Sequence, residues 1–258
     1  MSGRTTRKIG LARALSKLGY SSRSRATDLV RAGRVTLNGK FRRDPETPVS
    51  MGHDEIAVDG NAVEQQEKIY LMLNKPRGVV TTASDEKGRE TVYDLLQAKC
   101  SGGKSNLANR QWLAPVGRLD KASEGLLLLT NDTVWATRVS APETHLDKTY
   151  HVQISRELNQ EVLNTLARGI PIGGDVLRVK QVSLLRAGEK TCWLEIVLDE
   201  GKNRQIRRMM EAMNIEVLRL IRVAIGPLPL GDLAKGESRP LNRDEKRMLD
   251  RAMRSKTS

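Results

Sequence analysis

The stretch GRLDKASEGLLLLTND, residues 117 to 132, places one carboxylate directly before a run of leucines. Asp120 stands at the start of this stretch, and the GLLLLT that follows is typical of a buried strand. A carboxylate beside a hydrophobic core needs either a partner or a chemical role, because burying an unpaired charge is costly. No histidine, cysteine or serine of a recognisable catalytic set stands beside it. For GRLD alone, a surface loop in which Arg118 pairs with Asp120 is the simpler interpretation.

A second group of charged residues lies in GKNRQIRRMMEAM, residues 201 to 213. At about 100° per residue, Arg204, Arg207 and Arg208 fall on one face of a helix. The opposite face is apolar, which predicts that it packs in the core; its members are Ile206, Met209, Met210 and Met213. The three arginines are either a solvated stripe or a set that binds phosphates or holds a carboxylate in a bidentate pair.

Tyr150, in the segment DKTYHV, is a third candidate. A single tyrosine on a strand usually belongs to the core or its rim. Aromatic residues make up only 3% of the chain, which argues against a stacking platform for single-stranded nucleic acid. One tyrosine can still stack on a single extruded base.

Composition narrows the partners and cofactors. The 258 residues include 44 Lys and Arg against 31 Asp and Glu, a net charge of +13, which favours a polyanionic partner such as nucleic acid. The chain has no apolar run near the ~18 residues of a spanning helix and no signal-peptide core, so we expect no membrane association. Two cysteines and three histidines without ligand spacing predict neither a metal site nor a disulfide scaffold, which suits a reducing cytoplasm.

Positive charge is concentrated at the start of the chain. Residues 1 to 43 contain twelve Lys or Arg and one acidic residue. Apolar residues at helical spacing predict a first helix that ends at Gly19. A second helix begins at Ser21 or Ser22 and ends at Gly33, and Asn38-Gly39 predicts a hairpin after it. Together these elements predict a compact basic module. We therefore predict a domain over residues 1–65 with a phosphate-binding face, and the candidates for these contacts are Arg23, Arg25, Arg31 and Arg34.

The remaining chain, residues 66–258, predicts a second domain. Strands in series with a few helices indicate an α+β fold with flanking helices around a mixed, mostly antiparallel sheet. One strand ends at Lys75-Pro76, and GLLLLT, KTYHVQIS and EVLRLIRVAIG form others. Residues 99 to 111 are predicted to form a mobile basic loop.

Four motifs in order carry a resemblance: LMLNKPRGVVTT, PVGRLDKASEGLLLLTND, DKTYHV and EGKNRQIRRMMEAMNIEVLRLIRVAIGPLPLGDL. Together they resemble the ribosomal RNA pseudouridine synthases of the RsuA type. Residues 9 to 55 resemble the S-four RNA-binding domain that precedes the catalytic domain in that family. The chain departs from the family pattern in KAS after GRLD and in the length of the loop around 99 to 111.

The resemblance implies a role for each candidate residue. Asp120 corresponds to the catalytic aspartate, Tyr150 to the active-site tyrosine against the target base, and Arg207 to the basic residue that pairs with the aspartate. Arg204 and Arg208 are alternatives for that pairing and candidates for RNA contact. Lys75 borders the site and is a candidate for RNA contact, and Arg118 contacts the RNA near the flipped nucleotide. The implied partner is ribosomal RNA, and no cofactor is expected. We expect a cytoplasmic monomer, because the RNA supplies the large partner surface.

The implied reaction explains why one aspartate suffices. A glycoside hydrolase normally needs two carboxyl groups, one of which attacks the sugar or activates water. Conversion of uridine to pseudouridine breaks the N-glycosidic bond but keeps the base, so no water is activated. Asp120 would act at the sugar as a nucleophile or as a base. Tyr150 would either take the final proton from the base or only stack on it.

Two other classes compete with this interpretation. A non-catalytic RNA-binding or ribosome-assembly protein on the same fold would share the basic surface, but it would not need Asp120, Tyr150 and an RQIR arginine together. An RNA methyltransferase would need a glycine-rich cofactor turn after a strand, which neither GIPIGGDV nor KGRE provides. Charge alone also leaves a DNA-directed role open, although the S-four resemblance disfavours it.

Overall fold

The computed structural model describes residues 8–82, 88–98, 112–155 and 160–254. These residues form two compact units that alternate along the sequence. Within the described residues, the first unit comprises 8–70, 112–114 and 129–135, and the second comprises the remainder. The predicted domain boundary between residues 65 and 66 stays a prediction. The basic loop predicted at 99–111 lies outside the described residues.

The first unit begins with two short helices and a small sheet. Its elements are β1 (Ile9–Gly10), α1 (Leu11–Lys17), α2 (Arg23–Arg31), β2 (Val35–Leu37), β3 (Lys40–Arg42), β4 (Pro48–Val49), β5 (Ile56–Val58) and β6 (Asn61–Ala62). Ser22 begins α2, because its hydroxyl accepts a hydrogen bond from the Arg25 amide at 3.1 Å. Asn38 and Gly39 both have positive φ angles, 51° and 75°, as a tight hairpin between β2 and β3 requires.

The rest of the described chain forms a large sheet with helices around it. The elements are β7 (Tyr70–Lys75), α3 (Val92–Ala98), β8 (Ala114–Val116), β9 (Glu124–Thr130), α4 (Thr133–Ser140), β10 (Lys148–Ile154), α5 (Gln160–Arg168), β11 (Ile170–Ile172), β12 (Asp175–Leu177), β13 (Gln181–Ala187), β14 (Cys192–Leu198), α6 (Gln205–Ala212), β15 (Val217–Ile225), β16 (Leu228–Pro229), β17 (Ser238–Pro240) and α7 (Arg243–Ala252).

The large sheet has nine strands, in the order β13-β14-β10-β15-β9-β7-β17, with β16 beside β15 and β8 beside β9. Its β13–β14, β14–β10 and β10–β15 pairs are antiparallel, whereas β15 and β9 are parallel. The predicted α+β class and the mostly antiparallel mixed sheet are therefore confirmed. None of the helices in the described ranges is long and apolar enough to cross a membrane.

The GLLLLT run is a buried strand, as its sequence predicts. All seven residues of β9 are buried, and leucines 126 to 129 have no exposed surface. Met209, Met210 and Ile206 on α6 pack into a core with β10 and β14, which confirms their predicted apolar role. These contacts place the carboxyl end of β14 and the beginning of α6 near the loop that carries Asp120.

The parallel pairing of β15 and β9 depends on one ion pair and one glycine. Arg219 on β15 donates two hydrogen bonds of 3.0 Å to the buried Glu124 carboxylate on β9. Gly125 has a φ of 102°, and a Cβ built on it would lie 2.3 Å from the Arg222 carbonyl oxygen. Only glycine allows this approach, which sets the position of Arg222 relative to β9.

Candidate active site

A cleft of about 540 Å³ in the second unit brings most of the predicted site residues together. It is bounded by the loop before β9, the end of α4, the face of β10 and β15, and the segment leading into α6. Its charged and aromatic lining residues are Arg118, Asp120, Lys148, Tyr150, Glu200, Lys202, Arg204 and Arg222.

Asp120 is held in a loop that several backbone contacts brace. The Ser123 amide donates to the Asp120 carbonyl oxygen at 2.9 Å. The Thr81 hydroxyl donates to the Leu119 carbonyl oxygen at 2.8 Å, while Leu119 itself is buried. The Asp120 side chain remains 34% exposed, with Oδ2 3.7 Å from Arg204 Nη1. The carboxylate is therefore ionically paired and accessible from the cleft.

Arg204 rather than Arg207 makes the ion pair with Asp120. Arg207 instead donates to the carbonyl oxygens of Ala122 at 3.0 Å and Val217 at 3.3 Å. The pairing of Arg207 with Asp120 that the resemblance implies is therefore corrected in this structure. The physical reason is the start of α6 at Gln205: Arg204 lies outside the helix, in a left-handed conformation with φ 49°, so helical spacing does not set its direction.

Arg207 nevertheless lies in the electrostatic environment of Asp120. Burial and the nearby Arg204 lower the pKa of Arg207, whereas the Asp120 charge opposes the shift. Its Nε is buried without a hydrogen-bond partner. By bonding to Ala122 and Val217, Arg207 ties the loop after Asp120 to the start of β15.

Lys75 does not contact solvent, which corrects its predicted role in binding RNA. The residue is 0% exposed, and its Nζ donates to the carbonyl oxygens of Pro76, Asp120 and Ser123 at 3.1, 3.1 and 2.8 Å. Burial lowers the pKa of Lys75 to about 8, while Asp120 and Glu124 oppose that shift. The ammonium group is enclosed by the Asp120 loop, so it positions that loop and cannot reach a phosphate.

Tyr150 lies on the floor of the cleft beside two cations that the sequence analysis missed. It pairs across the sheet with Arg222 on β15, and Lys148 precedes it by two residues on the same face of β10. Burial, and then the charge of Arg222, lower the pKa of Lys148. The alternation in VLRLIRVAI, where arginines interrupt an apolar strand, was the available signal for Arg222.

The other arginines of the second unit divide between the cleft and its surroundings. Arg118 and Arg204 are exposed and line the cleft. Arg208 does not line it, because it lies on another side of α6 and donates to the Ile172 carbonyl oxygen on β11 at 3.4 Å. The predicted common face of Arg204, Arg207 and Arg208 is therefore wrong.

Glu200 is a second carboxylate in the cleft, which refines the expectation of a solitary acid. Its Oε1 accepts a hydrogen bond of 2.8 Å from Gln205, and its Oε2 lies 3.9 Å from Lys202 Nζ. Gln205 in turn donates to the Arg178 carbonyl oxygen at 2.9 Å. Glu200 thus stabilises the entry into α6. Across the described ranges, no cluster of three or more His, Cys, Asp or Glu residues could hold a metal ion.

The predicted RNA-binding arginines of the first unit are all exposed. Arg34 makes a bidentate ion pair with Asp59, and Arg23 lies 3.6 Å from Glu46. In the part of the chain that the structure describes, Arg25 and Arg31 make no ion pair, and both are carried by α2. These two have the greatest freedom to contact a phosphate.

Charge removal at Arg25 and Arg31 tests this assignment. For Arg25→Gln/Arg31→Gln, we expect weaker binding of ribosomal RNA and a plot of log K against log salt that is shallower by about 1.5, since each lost phosphate contact lowers the slope by ~0.7–0.9. Titrations at several salt concentrations measure this slope. The exposed Arg251, on α7, provides the control variant Arg251→Gln. An unchanged slope in the double variant would contradict the assignment.

Comparison with known proteins matches two families along the chain. Residues 69–212 match the model of the RNA pseudouridylate synthase family, and residues 9–56 match the S4 domain. A ribosomal large subunit pseudouridine synthase B from Bacillus subtilis is 36% identical over 93% of this chain and 94% of its own length. An uncharacterized RNA pseudouridine synthase from Aquifex aeolicus is 34% identical over 95% of both chains.

A solved structure agrees with these sequence matches. The crystal structure of a pseudouridylate synthase is 30% identical, with a TM-score of 0.62 over 93% of this chain and 99% of that one. The match spans both the S4 region and the part that carries the cleft. The predicted resemblance is confirmed: this chain belongs to the RNA pseudouridylate synthase family.

Proposed function

We propose that this protein isomerises specific uridines of ribosomal RNA to pseudouridine, with Asp120 as the catalytic group. The observation that carries the proposal is the accessible Asp120 carboxylate, 3.7 Å from Arg204, in the same cleft as Tyr150. Family membership supplies the reaction class. The S4 match and the Bacillus subtilis relative, which is named for the large ribosomal subunit, support ribosomal RNA as the substrate.

The reaction conserves every atom of the substrate. The N1–C1′ bond breaks, and its electron pair leaves with the uracil. Asp120 either forms an ester at C1′ as a nucleophile or removes a proton from C2′ as a base. The uracil turns within the cleft, and C5 forms the new bond to C1′ as the Asp120 ester breaks or, when Asp120 acts as a base, as the proton returns to C2′. N1 gains a proton and C5 loses one, so the product is an isomer and no water is consumed.

The cleft supports this chemistry through its charges and its apolar walls. Arg204 places a positive charge 3.7 Å from the Asp120 carboxylate. The buried Leu119 behind the catalytic loop limits the access of water to the reacting base. Tyr150 provides a ring against which the extruded uracil can stack. Extruding a nucleotide costs a few kcal/mol, which contacts between arginines and the RNA backbone offset.

The proposal includes a monomer in the cytoplasm that acts without a cofactor. Every step described above uses only the substrate and side chains of this chain. The exposed cations Arg118 and Arg204 remain candidates for RNA contact at the cleft, as do Arg23, Arg25, Arg31 and Arg34 in the first unit.

The decisive test of the substrate is a map of pseudouridines in ribosomal RNA. We expect one or a few sites to be pseudouridine in cells with the gene and uridine in cells without it. Restoring the gene should restore these sites, whereas an Asp120→Asn gene should not. Identical maps with and without the gene would exclude ribosomal RNA as the substrate.

A further inference from the structure

We propose that Arg222 reads the edge of the target base, its guanidinium donating a hydrogen bond to a carbonyl oxygen of the uracil both before and after the base turns. This inference rests on the proposed function and adds a base-recognition residue to it.

Arg222 is built into the sheet with one donor left unsatisfied. The residue is only 5% exposed, and its Nε donates to the Leu126 carbonyl oxygen at 2.7 Å. Its Nη2 is buried without a hydrogen-bond partner, and the residue lines the cleft. A buried charged donor without an acceptor is unfavourable in the free protein. A ligand acceptor in the cleft would satisfy it.

The position of Arg222 favours a base over a phosphate as the source of that acceptor. Arg222 pairs with Tyr150 across β15 and β10, so a ring stacked on Tyr150 brings its edge to the guanidinium. Arg118 and Arg204, by contrast, are exposed and suited to the RNA backbone. Lys148 lines the same cleft and adds a second positive charge beside Arg222. The floor of the cleft is therefore electropositive.

The symmetry of uracil makes one donor useful throughout the reaction. Turning the ring to exchange N1 with C5 also exchanges the C2 and C4 carbonyl groups. A donor that meets O2 before the turn therefore meets O4 after it. Between the two orientations, the free base carries the electron pair of the broken bond, and part of this negative charge lies on both oxygens. A positively charged donor stabilises that anion more than the neutral base.

The same contact discriminates between pyrimidines. Cytosine carries an amino group in place of the C4 oxygen, so one of its two orientations would set a donor against the Arg222 donor. A site built to hydrogen-bond one group rejects the analogue that lacks it, because its own buried polar group is left unpaired. Arg222 would thus favour uracil.

Three variants separate charge, hydrogen bonding and packing at this position. Release of tritium from ribosomal RNA labelled with 5-tritiated uridine measures turnover, and filter binding measures RNA affinity. We expect kcat to fall ~10-fold for Arg222→Lys and ~100-fold for Arg222→Gln and Arg222→Met, since only lysine keeps the charge. KM should change less than about threefold, because the hydrogen bond to the neutral base of the bound substrate is weak and strengthens only when bond breaking leaves negative charge on the base. His151→Gln, on the other face of β10, is the control and should retain full turnover.

Several outcomes would overturn the inference. A lysine variant no faster than the glutamine variant would exclude stabilisation of an anion. A loss confined to KM would assign Arg222 to a phosphate.

Wild-type protein also provides a test that does not depend on the folding of a variant. RNA made with 4-thiouridine should turn over ~10-fold more slowly, because sulfur is a weak hydrogen-bond acceptor. Chromatography of the digested nucleosides measures this turnover. Unchanged turnover of that RNA would refute the contact. If wild-type protein releases no tritium from uridine RNA, the proposed function itself fails.

Discussion

Replacing Asp120 with asparagine should abolish tritium release from ribosomal RNA that contains 5-tritiated uridine. Asparagine preserves the shape of the side chain but removes the charge with which it attacks the sugar or accepts a proton. We expect kcat to fall by at least ~10⁴-fold, the scale seen when a group essential to the chemistry is removed. RNA affinity should change less than about threefold, because the basic surfaces are untouched. Single-turnover assays with saturating enzyme measure the chemical step directly.

Glu200→Gln is the matched control for this prediction. The glutamine can still accept the hydrogen bond that Gln205 donates to Glu200 Oε1, so the entry into α6 should persist. We expect its kcat to remain within about threefold of wild type, because isomerisation needs no second carboxylate. Equal losses in Asp120→Asn and Glu200→Gln would instead indicate a two-carboxylate mechanism of the glycoside hydrolase kind. Near-normal turnover by Asp120→Asn would exclude the proposed role of Asp120.

Replacing Lys75 with methionine should impair turnover much more than folding. The Lys75 Nζ donates to the carbonyl oxygens of Asp120 itself and of Ser123, three residues later in the same loop. Without it, the loop loses its tether and Asp120 leaves its reactive position, so we expect kcat to fall ~100-fold. A methionine of similar volume relieves the cost of burying the charge, which offsets part of the lost hydrogen bonding. The free energy of unfolding should therefore change by less than ~2 kcal/mol.

The pH dependence of stability gives this prediction a second readout. The pKa of Lys75 is about 8 in the folded chain, below the ordinary value of 10.5. Between these pH values the unfolded state binds more protons, so the free energy of unfolding increases as the pH rises from about 8 to 10.5. The same contribution is lost when the pH falls back to about 8. Urea unfolding should show wild type gaining stability relative to Lys75→Met over this interval. A difference in stability between wild type and Lys75→Met that stays constant with pH would contradict the buried ammonium. The control is Lys121→Met at an exposed neighbouring position, which should show no pH trend and an unchanged kcat.

Local patterns in the sequence predict the parts of the fold that local physics determines. Ser22 caps α2, Asn38-Gly39 forms a hairpin, and GLLLLT is buried, because capping, positive φ angles and hydrophobicity depend on few neighbouring residues. The α+β class follows from the order of such elements. Asp120 could be singled out for a related reason, since a charge beside an apolar strand needs an explanation.

The residues around Asp120 were harder to predict because they depend on distant contacts. Lysine is among the residues least often buried, so no pattern placed Lys75 inside a ring of carbonyl oxygens. The Arg204 pairing depends on where α6 begins, and helix boundaries are the least reliable part of a sequence prediction. Arg222 comes to the cleft through the parallel pairing of β15 with β9, two strands that are almost 100 residues apart in the sequence. The hydrogen bond from the Arg222 side chain to the Leu126 carbonyl oxygen spans the same separation.

The left-handed backbone of Arg204 has a consequence for the balance between stability and activity. Five described residues other than glycine have a positive φ, and four are of the Asn, Asp or His types that tolerate it; Arg204 is the exception. An arginine in this conformation costs on the order of 1 kcal/mol or more, which glycine would avoid. The native state thus carries conformational strain at the junction that delivers a guanidinium to Asp120. Arg204→Gly would therefore give a more stable chain, but it would remove the positive charge beside the catalytic carboxylate.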